Sequence, residues 1–327
     1  MLLSLCIPTY NRAVQLNELL ESLSLDPEAK SVEICISDNA STDNIALVVD
    51  TWRSKGFHIL FQRNEKNFGA DFNYLAVSNM ASGDYIWLFG SDDKFENGAI
   101  SAIKEFINYF PDRGVYLFSR TEYVLDFSEY LGIRNWIDVG EKDPVTFDFF
   151  DKSQRVCFFQ SVLYLGGLFS YLSSILVHRD SWQKAFFDDR LMGTAYSHVF
   201  KLFQVLLNSS HSLLTVSKYS PVKTRLGDDS FRSSAGQRLM LDIDGYKLIS
   251  ETSILAKERV FFYTPFRRFY YLDYLSGVLN QDPSFFSFSK WKKIWAVCGY
   301  KSILRNLNSL FRSCGYAIKT YFRFEVL

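Results

Sequence analysis

A short apolar run, Leu2 to Ile7, breaks into Pro8-Thr9-Tyr10-Asn11-Arg12, and behind it Leu16, Leu19, Leu20 and Leu23 recur at helical spacing. This predicts a buried strand followed by a helix. The unit repeats. Val32 to Ser37 reads as a second strand, the turn Asp38-Asn39-Ala40-Ser41-Thr42-Asp43 supplies capping side chains, and Ile45, Val48, Val49 and Trp52 line a second helix. His58 to Gln62 reads as a third strand. Phe72, Leu75, Ala76 and Met80 form the inward face of the next predicted helix, with Gly83 as the residue past its end. Tyr85 to Phe89 is the fourth strand, Ile100, Ile103, Ile107 and Phe110 mark a further helix, and Val115 to Phe118 returns to the sheet. Strands alternating with helices over residues 1–120 predict a right-handed, doubly wound parallel sheet of the α/β class.

Beyond Arg120 the alternation stops, and the stretch to Lys152 mixes charges and aromatics without a period that assigns it. Val156 to Val177 carries no Asp, Glu, Lys or Arg over 22 residues, long enough to span a bilayer. Its Gln160, Ser161, Gly166, Gly167, Ser170, Ser173 and Ser174 disfavour insertion, so a buried helix followed by a buried strand is expected. Val199, Leu202, Phe203 and Leu206 predict a helix starting near Tyr196. In the C-terminal third, Arg267 to Tyr271, Lys290 to Trp295 and Phe311 to Phe324 interleave basic and aromatic residues. Two readings stay open there, a helical cap with solvated charges and a membrane-surface face.

The 36 basic and 36 acidic residues cancel, so no overall field recruits nucleic acid. Five widely spaced cysteines, mostly in apolar runs, read as reduced core residues of a cytoplasmic protein. No basic segment precedes the first strand, which is the expectation for a chain that is not secreted.

The polar residues gather at the strand ends. Thr9, Tyr10, Asn11 and Arg12 follow the first, Asp38 and Asn39 the second, Asn67 and Gly69 the third, and Asp92 with Asp93 the fourth. In a parallel sheet these ends share one edge, where ligands bind. An Asp-Asp pair is also ordinary turn or capping chemistry. Repetition of polar groups at four strand ends favours a ligand crevice, and hard carboxylate oxygens there suit Mg²⁺ or Mn²⁺ bridging a diphosphate. Neither Gly-x-Gly-x-x-Gly nor Gly-Lys-Ser/Thr follows the first strand, which disfavours dinucleotide and P-loop chemistry.

Cys6-Ile7-Pro8-Thr9-Tyr10-Asn11-Arg12, Ile36 to Asp43, Asn67-Phe68-Gly69 and Gly83 to Asp93 together resemble family 2 glycosyltransferases of the GT-A fold over about the first 120 residues. Gly166 to Ser174, Gly193 to Phe200 and Gly227 to Phe231 are similar to the abequosyltransferases of bacterial O-antigen synthesis, which extends the likeness to residue 235. The resemblance implies a GT-A type, mostly parallel sheet in residues 1–235 with a helical extension in 236–327. Residues 1–120 would bind the nucleotide sugar and 121–235 the acceptor. Pro8, Thr9, Tyr10, Arg12 and Asp38 would hold the base end of the donor, with Asn67, Gly69 and Ser91 lining the same site. Asp92 and Asp93 would hold the metal. Where many members read Asp-x-Asp-Asp, this chain has Gly90-Ser91-Asp92-Asp93, one carboxylate fewer.

An acceptor hydroxyl needs a base. The family commonly places an acidic pair at a helix start in the later half, but Thr194-Ala195-Tyr196-Ser197-His198 contains no acid. His198, a side chain that titrates near neutrality, is the expected base, with Asp188 and Asp189 as alternatives and each open to a purely structural reading. Arg225 can clamp a diphosphate bidentately or be an ordinary loop arginine. The implied reaction transfers a hexose, such as a 3,6-dideoxyhexose, from a CDP-, dTDP- or UDP-linked donor to a lipid-diphosphate-linked oligosaccharide at the inner membrane surface. A nucleotidyltransferase and an inactive sugar-nucleotide binder are the rival readings.

Overall fold

The first strand is buried on both faces and the chain leaves it in opposite directions, which creates the crevice. β1 (Leu3–Thr9), β2 (Glu33–Asp38), β3 (Ile59–Arg63) and β4 (Tyr85–Leu88) are parallel, with β1 between β2 and β4. The chain winds outward to β3, then crosses back to β4 on the other side of β1. The ends of β1 and β4 therefore form a topological switch point.

The full sheet has eight strands in the order β3-β2-β1-β4-β10-β6-β11-β9, where β6 is Val115–Phe118, β9 Val145–Asp148, β10 Ile175–His178 and β11 Leu213–Ser217. β10 runs antiparallel between β4 and β6, and β9 is an antiparallel edge, so the sheet is mostly parallel. A smaller sheet orders β5 (Lys94–Phe95), β12 (Val222–Arg225), β7 (Arg120–Tyr123) and β8 (Tyr130–Arg134). The aperiodic stretch after Arg120 thus supplies β7, β8 and β9. Its charges are paired rather than patterned, since buried Glu122 binds both Arg120 at 2.8 Å and Arg134 at 2.7 Å.

Helix α1 (Ala13–Ser24) buries Leu16, Leu19, Leu20 and Leu23 as the spacing requires, each leucine contributing about 2 kcal/mol. α2 (Ile45–Ser54) buries Ile45, Val49 and Trp52, and α4 (Ala99–Tyr109) buries Ile100, Ile103 and Ile107. The helix between them, α3 (Ala70–Asn79), departs from expectation. Its buried residues are Asp71, Asn73, Val77 and Ser78, while Phe72, Leu75, Ala76 and Met80 are only half-buried. This helix packs a polar face onto polar loops. It also ends without a left-handed glycine: Gly83 lies beyond it and donates its N–H to Ser4 Oγ at 2.8 Å.

The apolar stretch after Val156 is completed by α5 (Lys152–Ser161), two 3₁₀ turns and β10, as a buried helix and strand. α6 spans Arg179–Lys184, and α7 (Ser197–Asn208) is buried from Ser197 to Leu206. Among the described residues, no helix is long and apolar enough to cross a membrane. Cys6, Cys35 and Cys298 are buried and unpaired, but Cys157 is exposed on α5.

The computed structural model describes residues 3–227, 235–269, 275, 278 and 287–299, in two units, 1–230 and 231–327. The second unit contains helices Ala235–Ser253, Arg259–Phe262, Thr264–Phe269 and Phe288–Cys298. Asp228 to Phe231, Tyr270 with Tyr271, and Phe311 to Phe324 lie outside the described residues.

Candidate active site

At the C-terminal end of β1 the chain must turn sharply, and Asn11 takes a left-handed φ of 52° to do so. The turn is locked to the loop after β2. The Asn11 N–H donates to Ser41 Oγ at 2.8 Å, and Asn11 Oδ1 accepts the Thr42 N–H at 2.7 Å. Asp43 accepts the Ala13 N–H at 2.7 Å, capping α1 from a neighbouring loop in place of a local residue.

β1 and β2 are in register so that Thr9 lies beside Asp38. Asp38 is fully buried. Its Oδ1 accepts the N–H of Ser41 at 2.9 Å and the Ser41 hydroxyl. Its Oδ2 has no hydrogen bond, with only the Arg63 guanidinium 3.6 Å away, and the buried hydroxyl of Thr9 is likewise without a partner. A buried acceptor beside a buried hydroxyl is costly unless something else supplies the bonds.

Asn39 joins the next loop, donating to Asn67 Oδ1 at 2.8 Å and to the Gly69 carbonyl at 3.2 Å while accepting from Asn64 and the Phe68 N–H. Buried Asn73 of α3 donates to the carbonyls of Thr9 and Ser37, tying that helix to both strand ends. The sequence marks Asn39 and Asn67 as strand-end polar residues but not their joining through Asn64, nor the part of Asn73, which falls on a face of α3 that a hydrophobic stripe would not select. Gly69 adopts φ 88°, a conformation that favours glycine.

Across the switch point, Arg12 pairs with Asp92 at 3.0 Å. Arg225 of β12 donates to the Asp92 carbonyl at 3.1 Å and pairs with Glu18, which Lys94 also approaches at 3.4 Å. Burial opposes ionisation of Glu18, but Arg225 and Lys94 prevail and hold its carboxyl below the usual range. Asp92 is half-buried, Ser91 and Asp93 are buried, and Tyr10 is exposed. Burial raises the Asp93 pKa, against the lowering effect of hydroxyls from Ser173, Thr224 and Tyr171.

The sequence therefore brings Thr9, Arg12, Asp38, Asn67, Gly69, Asp92, Asp93 and Arg225 to one edge. The proposed bases stand differently. An accessible imidazole titrating near neutrality was expected at His198, but its side chain is buried and Nε2 lies 3.0 Å from the Phe169 carbonyl. Burial pushes it down to about 4, although Asp71 and that carbonyl oppose the shift. The carboxylate that stands at the start of α7 is not free. Asp71, from α3, spends its oxygens there on the N–H groups of Gly193, Ala195 and Ser197, at 2.8, 2.8 and 2.9 Å. Asp188 is bound to Arg190, whose side chain and N–H hold it below the carboxylate range. Asp189 is exposed in the turn between them.

Among the described residues, no three His, Cys, Asp or Glu side chains converge as a metal cage. One or two carboxylates completed by a substrate's phosphates is nonetheless an ordinary Mg²⁺ environment. Half-exposed Asp92, adjacent to Asp93 at the strand end, fits that arrangement.

The sequence profile described as Glycosyl transferase family 2 matches residues 4–176. Abequosyltransferase RfbV of Salmonella typhimurium is 36% identical over 282 residues, covering 81% of this chain and 83% of that protein. The GalNAc(5)-diNAcBac-PP-undecaprenol beta-1,3-glucosyltransferase of Campylobacter jejuni is 29% identical over 107 residues, 32% of this chain and 34% of that protein. Among solved structures, TarS of S. aureus is similar with a TM-score of 0.63 at 17% identity, over 96% of this chain and 87% of that one. Mannosyltransferase PcManGT from Pyrobaculum calidifontis, in complex with GDP-Man and Mn²⁺, gives 0.55 at 10% identity, over 95% and 80%. At such identities the structural likeness concerns the fold alone.

Proposed function

The chain belongs to glycosyl transferase family 2 and is a nucleotide-sugar-dependent glycosyltransferase; from that premise we propose that it transfers a 3,6-dideoxyhexose from a CDP-linked donor to a lipid-diphosphate-linked oligosaccharide in O-antigen synthesis. The observation that carries the donor site is the pair of unpartnered buried oxygens, Asp38 Oδ2 and Thr9 Oγ1, on residues paired in register at the ends of β2 and β1. A carboxylate accepts an amino or imino N–H of a pyrimidine, and a neighbouring hydroxyl donates to the adjacent ring nitrogen or carbonyl. Cytosine and uracil both satisfy this pair, so a dTDP- or UDP-linked donor is the alternative; the likeness to an abequosyltransferase favours CDP.

Pro8 and Tyr10 flank the base, and Asn67, Gly69 and Ser91 line the donor. Asp92 and Asp93 would hold a Mg²⁺ or Mn²⁺ ion, which when bound offsets charge on the diphosphate. Arg12 and Arg225 add fixed positive charge beside Asp92. During transfer the bond from the sugar's anomeric carbon to the phosphate oxygen breaks, its electrons leaving with the diphosphate. The acceptor oxygen bonds to that carbon, and its proton passes to a carboxylate. Asp189 is assigned this role over Asp188, which Arg190 occupies, and over the buried His198. A lipid-linked acceptor places the enzyme at the cytoplasmic face of the inner membrane.

The test measures nucleoside diphosphate release from CDP-, dTDP- and UDP-sugars with and without a lipid-diphosphate oligosaccharide. Acceptor-dependent CDP release is expected. Formation of a nucleotide sugar from a nucleoside triphosphate and a sugar phosphate, with pyrophosphate released, would instead indicate a nucleotidyltransferase, and neither activity with any nucleotide a binding protein.

A further inference from the structure

The proposed reaction makes no use of the Gly166 to Ser174 segment, yet that segment delivers two hydroxyls to one oxygen of Asp93. The Tyr171 hydroxyl donates to Asp93 Oδ2 at 2.7 Å, and the Ser173 hydroxyl donates to the same atom. Ser173 is itself fixed, its Oγ accepting the Gly90 N–H at 2.8 Å and its carbonyl accepting Trp87 Nε1 at 2.8 Å. The Tyr171 ring is fixed from outside by Arg120, whose guanidinium lies 4.3 Å from the ring centre and is held by Glu122. A carboxylate as buried as Asp93 needs donors around it, and these are hydroxyls.

Gly90 shows why they reach. A Cβ at that residue would lie 3.0 Å from Asp92 Oδ1, 3.0 Å from Asp93 Oδ2 and 3.3 Å from Ser173 Oγ. The room a side chain would need is already filled by oxygens.

We propose that Tyr171 and Ser173 are positioning residues whose hydroxyls fix the Asp93 carboxylate in its orientation at the donor site, and that Gly90 clears the space they require. This rests on the reading of Asp93 as a donor-site carboxylate. It also gives the substitution of glycine for a further carboxylate a physical sense: the site exchanges a third negative charge for a hydroxyl cage.

Tyr171→Phe removes one hydroxyl and leaves the ring packed on Arg120. Because that hydroxyl helps fix Asp93 Oδ2 in place, its loss leaves the carboxylate less well oriented. A misplaced carboxylate should lower kcat roughly tenfold while the donor KM changes little, with Tm unchanged. Gly90→Asp restores the carboxylate common in the family, and here it should lower turnover, because it displaces the cage. A Tyr171→Phe enzyme with wild-type kcat would overturn the inference alone, as would a Gly90→Asp enzyme more active than wild type. Wild-type protein inactive with every nucleotide sugar would overturn the donor reading, and this inference with it.

Discussion

Single residues carry the chemistry through what they lack as much as through what they touch. Asp38 Oδ2 and Thr9 Oγ1 are buried without hydrogen bonds, so the donor base should complete them. Asp38→Ala should raise the donor KM at least tenfold and change kcat little, since the contact is made equally in ground and transition states. Steady-state kinetics in the donor would expose the opposite pattern, a fall in kcat at unchanged KM. Asp92→Ala should abolish transfer with little loss of Tm, because a half-buried side chain at a strand end leaves no core cavity; wild-type turnover in this variant would remove Asp92 from the site. His198 belongs instead to stability. Its folded pKa, about 4, lies below its ordinary 6.5, so the unfolded chain takes up the proton first as pH falls. The neutral imidazole's contribution is full above 6.5 and is lost progressively down to about pH 4, by up to about 3 kcal/mol. Denaturant unfolding at pH 7.5 and 4.5, with His198→Gln as reference, should show that loss in the wild type only.

Elements are placed by long-range caps. α7 begins where Asp71, from a helix far earlier in the chain, satisfies three N–H groups around Ala195, a residue in left-handed conformation at φ 65°. Asp71→Ala should leave those donors unsatisfied and cost about 3 kcal/mol, lowering Tm by roughly 6–12 °C. A drop within one degree would mean that water or a local side chain replaces the cap. α3 shows why hydrophobic spacing misassigned its inner face: Asp71 and Asn73 are buried because they bind the ends of other elements, not because they are apolar.

At the scale of the whole molecule, the balanced charge leaves membrane attraction to local patches. In the second unit, helix Phe288–Cys298 buries Ile294, Val297 and Cys298, leaves Lys292 exposed, and pairs Lys293 with Asp244 at 2.8 Å. Lys293 is thereby partly neutralised within the protein. If the acceptor is lipid-linked, Lys290→Glu with Lys292→Glu should release the protein from anionic vesicles, at about 1 kcal/mol per cation, without affecting transfer to a short soluble acceptor. Co-sedimentation indifferent to this change and to salt would make the helix a packed cap.

The sequence by itself determined the β-α alternation of the first 120 residues, the leucine stripe of α1, and the placement of Thr9, Asp38, Gly69 and Asp92 at strand ends, because burial and backbone periodicity act on neighbours along the chain. Tertiary structure alone decided the antiparallel insertion of β10, the small sheet built from an aperiodic stretch, and the pairing of Arg12 with Asp92. It also decided which polar residues are available. His198 reads as a base in the sequence and is sealed, Asp71 is a buried cap that hydrophobic spacing did not select, and Tyr171, marked in the sequence only within a family-like segment, reaches Asp93 across 78 positions. Hydrogen bonds of that span depend on how elements meet in space, and no local period encodes them.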